Sequence, residues 1–282
     1  MFAAIAIFVA ATSLVSGLQS DLQHSLAARA RVEHISAVSL SIYVPVEPSN
    51  INVAVGHMQY GGAGAAITPN ALYQIGSNTK SFTAATILQL EDEGVLSIDD
   101  TVGKWLPQYP AWKNITIRRL LNMTSDIPTY DDMESMLSAY ARNPTKYFTT
   151  QELVGFVYPR IGLRSTYYVR NLYPQNITRR MVSGYFYSTD PDNNGLQPLY
   201  GKDMRNLSVS WAQGAGGIVS TPEDVTRWCH ALYGGIVLKP KQQRELESLV
   251  SQETGKPIAE TTSQQPRGFG LGVGTMLTKS AN

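Results

Sequence analysis

Cysteine is almost missing from this sequence. Cys229 stands alone among 282 residues, which excludes an internal disulfide, a C-x-x-C redox pair and a thiolate metal cluster. Its place in the amphipathic stretch Glu223–Tyr233 predicts a buried structural thiol. Histidine is nearly as scarce: His24, His34, His57 and His230 are scattered, with no H-E-x-x-H and no i,i+4 pair. Solvated or packed histidines are expected, and no metal site. An excess of either charge is also lacking, since 23 Lys and Arg face 22 Asp and Glu for a net charge of +1. Nucleic acid and anionic membrane surfaces are therefore not expected partners. There is no G-x-S-x-G elbow, no G-x-G-x-x-G phosphate loop, no internal repeat and no low-complexity tract.

What is present is the composition of a folded globular chain, 43% hydrophobic and 16% charged, long enough for one large domain or two lobes. The only long apolar run is Met1 to Gly17. It carries no charge and ends in small residues, so it reads as a secretory signal peptide without the usual basic start. An uncleaved membrane anchor and a buried N-terminal helix are the alternatives. The expected organisation is a signal at residues 1–17 and a single domain over 18–282, exported to a periplasm or the exterior. Four N-x-S/T sequons, at Asn114, Asn122, Asn176 and Asn206, have meaning only in a eukaryotic secretory pathway.

Helical spacing over residues 20–34 puts Leu22, Leu26 and Ala30 on one face. Ala37–Val44 and Ile51–Gly56 read as two strands of an antiparallel hairpin, joined by a turn rich in proline and asparagine. After a glycine-rich connection, a short strand-like segment at Tyr73-Gln74 leads into a mostly apolar helix that stops at Gly94. Thr116 caps a short helix over Ile117–Asn122, and two more helices are expected around Asp132–Arg142 and Thr150–Phe156. Residues 160–207 are loop-rich. Thr221, Pro222, Glu223 and Asp224 then give a cap, a first-position proline and an acidic first turn for a late helix. The strict alternation of Gly268-Phe269-Gly270-Leu271-Gly272-Val273-Gly274 reads as a strand.

The stretch with chemical potential is Gly76-Ser77-Asn78-Thr79-Lys80, the chain's only S-x-x-K. Residues three apart share a helical face, so Ser77 and Lys80 can touch. A serine hydroxyl is a weak nucleophile until a neighbouring base takes its proton, and a partly desolvated lysine can do so. The helix N-terminus favours negative charge on the serine oxygen. From the residues alone, Ser77 as nucleophile and Ser77 as helix cap both stay open.

Gln74-Ile75-Gly76-Ser77-Asn78-Thr79-Lys80-Ser81-Phe82-Thr83 resembles the first motif of the serine beta-lactamase and penicillin-binding protein superfamily. The branch it is most similar to contains class C beta-lactamases, D-Ala-D-Ala carboxypeptidases and related esterases. The likeness continues in order through Leu96–Val102, Ile115–Ser125, Gly216–Asp224 and Gly268–Gly272. It implies an α+β, beta-lactamase-like fold: an antiparallel sheet flanked by helices, and a helical lobe over roughly residues 77–207. The site would lie between them, with Ser77 as nucleophile and Lys80 as proton acceptor. The implied substrate is a small-molecule or peptide amide, beta-lactam or ester, handled without metal or cofactor.

The sequence departs from the family at two motifs. No Tyr-x-Asn occurs; Thr150–Pro159 and Gly162–Tyr168 resemble the text before and after it, with only Arg160 and Ile161 between. Tyr167, Tyr168 and Tyr173 lie nearby and are expected to serve packing or loop roles. Neither Lys-Thr-Gly nor His-x-Gly occurs, so the expected sheet lacks its C-terminal strands and leaves an unpaired edge. Losing oxyanion donors of that strand would cost about 3–4 kcal/mol of transition-state stabilisation. A non-enzymatic remnant or binding module of the same fold is the alternative reading. Met123 and Asp126 stand where the family usually has His and Gly, and Asp can take up the left-handed geometry of a glycine.

Overall fold

The computed structural model describes residues 2–45, 47–158, 173, 175–187 and 191–276. Helix α1 (Phe2–Val32) runs unbroken through the apolar start and the helix read over 20–34. Leu22 and Leu26 are half-buried and Ala30 is buried, which is the face that the four-residue spacing marks. No helix among the described residues is long and apolar enough to cross a membrane. α1 lies along the hairpin of β1 (Ala37–Ile42) and β2 (Ile51–Gly56), antiparallel from Ala37↔Gly56 to Ile42↔Ile51.

β3 (Tyr73–Gln74) pairs antiparallel with β4 (Val219–Ser220) and delivers the chain into α2 (Thr79–Asp92). Short helices follow: α3 (Val102–Trp105) and α4 (Ile117–Leu121), the latter capped by Thr116, whose hydroxyl accepts from the Arg119 N–H at 3.3 Å. α5 (Glu134–Arg142), α6 (Thr150–Gly155) and α7 (Gln175–Thr178) make the middle of the chain helical. α6 opens with a reciprocal box in which Thr149 and Glu152 satisfy each other's free N–H groups. α8 (Gln213–Gly216) precedes β4, and α9 (Pro222–Tyr233) begins with Thr221 accepting from the Asp224 N–H at 3.1 Å. α10 (Pro240–Glu247) leads to β5 (Leu249–Ser251), β6 (Pro257–Ile258), β7 (Arg267–Phe269) and β8 (Gly274–Met276), ordered β6-β5-β7-β8.

Two apolar clusters hold these elements. In the first, Ala84, Ala85 and Leu88 of α2 pack with Ile98, Leu232 of α9, Leu246 of α10 and Leu271. Leu88 and Leu246 are fully buried, each contributing about 1.5–3 kcal/mol by removal from water. In the second, Met136 and Tyr140 of α5 close over Phe148, Leu153, Leu199 and Leu207. α2 is therefore a core element, and its first turn leads directly into the first cluster.

The α+β class agrees with the sequence reading, but three details differ. Among the described residues, the antiparallel pairing is divided among three small sheets, of two, two and four strands, rather than forming one. β3 and β4 are only two residues long because a turn and a helix cap end them at once. The glycine alternation over 268–274 is not one strand: β7 and β8 pair with each other around a tight turn. Gly272 there has φ +67° and lies so close to α2 that a Cβ would sit 2.4 Å from the Lys80 carbonyl oxygen. Alternating glycines mark close approach here, not a pleat. Cys229 is exposed, because Trp228 and Leu232 define the buried face of α9 and residue 229 turns away from it.

Asp126 has φ +58° and pairs with Arg119 at 2.7 Å, the left-handed geometry expected of it; Met123 adopts φ +59° as well. Asn122 is buried, whereas Asn114, Asn176 and Asn206 are exposed. The segment Gly162–Tyr168, with Tyr167 and Tyr168, lies outside the described residues.

Candidate active site

Ser77 sits in a 3-10 turn, Gly76–Asn78, inserted between β3 and α2. Gly76 takes φ +51°, a left-handed conformation that lets the chain leave the strand and start the helix within three residues. The α2 N-cap is Asn78, and its side chain donates to the Ile75 carbonyl at 2.8 Å. Ser77 is thus not the cap. It is exposed, and its hydroxyl receives a hydrogen bond from Lys80 Nζ at 3.0 Å.

Among the described residues, Lys80 makes one other bond, to the carbonyl oxygen of Ala215 at 3.1 Å. That carbonyl belongs to α8, and four side chains, two of them from α2, fix α8 and the two residues after it. Thr83 donates to Gly214 O at 2.6 Å, and Thr150 bonds the Gln213 side chain at 3.0 Å. Tyr173 donates to Gly217 O at 2.8 Å, and buried Thr79 accepts from the Ile218 N–H at 3.2 Å. Burial pushes the Tyr173 phenol up to about 12, so it remains a neutral donor across the physiological range. Gln213 carries an uncommon φ of +35° within this clamp. Gly216 packs against the Gly76 backbone, with 3.7 Å left for a Cβ.

The far side of the turn is equally fixed. Ser81 donates to Asn78 O at 2.8 Å and accepts from Trp228 Nε1 at 2.9 Å, while Trp228 stacks on Phe82 at 4.0 Å. The Ile75 N–H donates to Ile218 O at 3.1 Å, extending the β3–β4 pairing up to the turn.

Both residues singled out from the sequence, Ser77 and Lys80, are therefore brought together at bonding distance. The sequence reading did not identify the Ala215 carbonyl. Its only trace was the small-residue run Gly214-Ala215-Gly216-Gly217, which permits a backbone to lie against another helix. Chemically, Lys80 donates to both oxygens as an ammonium; as the neutral amine it would keep one N–H on the Ala215 carbonyl and turn its lone pair toward the serine hydroxyl.

Helices packed on small antiparallel sheets, with Ser-x-x-Lys at the start of a core helix, define a protein of the serine beta-lactamase and penicillin-binding protein superfamily. The chain belongs to the Beta-lactamase family, whose sequence model matches residues 28–282. Among curated relatives, penicillin-binding protein 4* of Bacillus subtilis (strain 168) is 46% identical over 61 residues, 22% of this chain and 13% of that protein. Protein flp of Staphylococcus aureus (strain MRSA252) is 32% identical over 181 residues, 55% of this chain and 34% of the relative. The matches thus span about a third or less of those relatives' own lengths. D-amino acid amidase from Ochrobactrum anthropi SV3, in complex with L-phenylalanine, superposes with a TM-score of 0.68 at 20% identity, covering 91% of this chain and 81% of that one. D-alanine carboxypeptidase AmpC from Burkholderia cenocepacia gives a TM-score of 0.58 at 16% identity, covering 91% and 73%. At such identities the solved structures share the fold.

Proposed function

We propose that this beta-lactamase-fold protein is an exported serine acyl hydrolase that acts on an amide, beta-lactam or ester carbonyl. The observation that carries this reading is the 3.0 Å bond between Lys80 Nζ and Ser77 Oγ, in a serine not used as a helix cap. Ser77 Oγ attacks the carbonyl carbon while Lys80 takes its proton. The tetrahedral centre collapses, and Lys80 returns that proton to the leaving nitrogen or oxygen. Water then attacks the acyl-serine and gives its proton to Lys80; the Ser77 Oγ–acyl bond breaks, and Lys80 returns that proton to Ser77 Oγ. The start of α2 favours the negative charge that develops beside it. Each step is accounted for by proton transfer between side chains, water and substrate. Export rests on the uncharged apolar start, Met1 to Gly17.

One observation favours a second reading, a non-enzymatic binding module of the same fold: no Tyr-x-Asn occurs in the 282 residues. Covalent labelling with a fluorescent penicillin or a fluorophosphonate separates the two. The hydrolase predicts a label on Ser77, no label on Ser77→Ala, and a labelling rate for Lys80→Ala lower by roughly 10²–10⁴-fold. An unlabelled protein, or equal labelling of Ser77→Ala, sinks the catalytic reading and leaves the binding module.

A further inference from the structure

The start of α2 carries the Ser77–Lys80 contact without the usual supports of a helix start. Asn78, at the cap, spends its side chain on the Ile75 carbonyl and gives no side-chain bond to the first turn. That turn holds no carboxylate, and Lys80 as an ammonium opposes the positive end of the helix. The Asn78 N–H bonds Ile75 O at 3.2 Å, and the Thr79 N–H bonds the Gly76 and Ser77 carbonyls. These are bonds of a 3-10 turn, whose geometry is poorer than that of an α-helix. The 3.0 Å contact between Lys80 Nζ and Ser77 Oγ spans this stretch.

A directed chain of two hydrogen bonds from α9 braces it. Trp228 Nε1 donates to Ser81 Oγ at 2.9 Å, and Ser81 Oγ donates to the Asn78 carbonyl at 2.8 Å. An indole N–H can only donate, so it occupies a lone pair of the Ser81 hydroxyl and leaves the single hydroxyl proton for Asn78. Without the indole, that hydroxyl is free to rotate. Trp228 is itself fixed, since its ring lies on Phe82 at 4.0 Å with 10° between the planes. Both helices also enter the first apolar cluster, α2 through Leu88 and α9 through Leu232. We infer that Trp228 is a positioning residue for Ser77. Acting through Ser81, it holds the Asn78–Thr79 peptide so that the serine hydroxyl stays on Lys80. The Ala215 carbonyl fixes the lysine of this pair, and Trp228 fixes the serine side. The inference rests on the reading of Ser77 as the nucleophile.

Two variants of the full chain test it. Trp228→Phe keeps a ring to stack on Phe82 and removes the donor, and Ser81→Ala removes the hydroxyl. Each should lower the maximal rate of fluorophosphonate labelling at Ser77 by about 3–10-fold, the fold-change for one hydrogen bond, with the half-saturating probe concentration unchanged. The double variant should be no slower than Ser81→Ala, because the indole acts only through that hydroxyl. Ser81→Thr, which keeps a hydroxyl, should restore the rate. Amide hydrogen exchange by NMR reads the turn without any reaction. The Thr79 N–H should exchange about 3–10-fold faster in Trp228→Phe and in Ser81→Ala, while amides of α5 keep their rates. Effects that add in the double variant overturn the proposal, as does an unchanged labelling rate or an equal acceleration of exchange in α5. Unchanged Thr79 exchange in Trp228→Phe overturns it whatever the label does. If the parent protein takes no label, the hydrolase reading fails by itself, and Thr79 exchange alone decides whether Trp228 holds the turn.

Discussion

At the scale of single residues, the sequence left Ser77 between two roles that demand the same residue type at the same place. A capping serine spends its oxygen on a backbone N–H, whereas a nucleophile must keep it for a base. Asn78 occupies the cap position and Ser77 bonds Lys80, an assignment that depends on a one-residue offset no pattern reveals. Ala215 was hidden for a different reason, because a main-chain carbonyl has no residue signature. Tyr173 was expected in a packing or loop role, and its phenol ties the chain to Gly217. Tyr173→Phe removes that bond and should lower unfolding stability by about 0.5–1.5 kcal/mol in urea titrations. The neutral ring still fills the half-buried site, so a loss several times larger would show that Tyr173 holds far more than α8.

At the scale of elements, periodicity and caps were legible where local physics decides the outcome. Thr116 and Thr221 start α4 and α9 as read, and β1 and β2 pair as the antiparallel hairpin expected, with β1 ending at Ile42 rather than Val44. Periodicity failed at Gly268–Gly274, because alternation of glycines carries no information about which face is buried. What decides there is the distance to α2: Leu271 fills the first core cluster, and the Gly272 N–H donates to Leu121 O at 2.9 Å. Gly272→Ala would force a Cβ within 2.4 Å of the Lys80 carbonyl oxygen and 2.6 Å of the Ala84 Cβ, at a positive φ. Strain and overpacking together should cost about 2–5 kcal/mol, read as a lowered denaturation midpoint. The displaced backbone is that of Lys80 itself, so labelling of Ser77 should slow in the folded fraction as well. By contrast, Gly61→Ala, where a Cβ has open space, should leave labelling unchanged.

At the scale of the whole molecule, the near-zero net charge makes no prediction of its own, and the pH response is set by particular carboxylates. Burial alone would raise the carboxyl of Asp203. The Arg205 side chain at 2.5 Å, the Arg205 N–H and Ser183 Oγ at 2.9 Å outweigh it and hold Asp203 below the usual range. Glu152 behaves alike: burial raises it, and Thr149 and Lys146 outweigh that and hold it below the usual range. At Asp99 the Arg118 hydrogen bond leads, and the carboxyl is again lowered. These groups tie different regions together, Asp203 beside Met181 and Asp99 through Arg118 to Glu245 of α10. A carboxyl lowered in the folded state binds fewer protons there than in the unfolded chain. Its stabilisation is complete above the unfolded value, near pH 4–5, and is lost as pH falls through the folded one. Thermal midpoints should therefore hold steady from neutral pH to about pH 5 and drop steeply below it. Asp203→Asn should cost about 1–2 kcal/mol of stability at neutral pH for a lost charged hydrogen bond, read as a lower thermal midpoint, and the gap to the parent protein should close as acid protonates Asp203 in the parent. A gap that stays constant down to the acid transition would place the source of acid sensitivity in carboxylates other than Asp203.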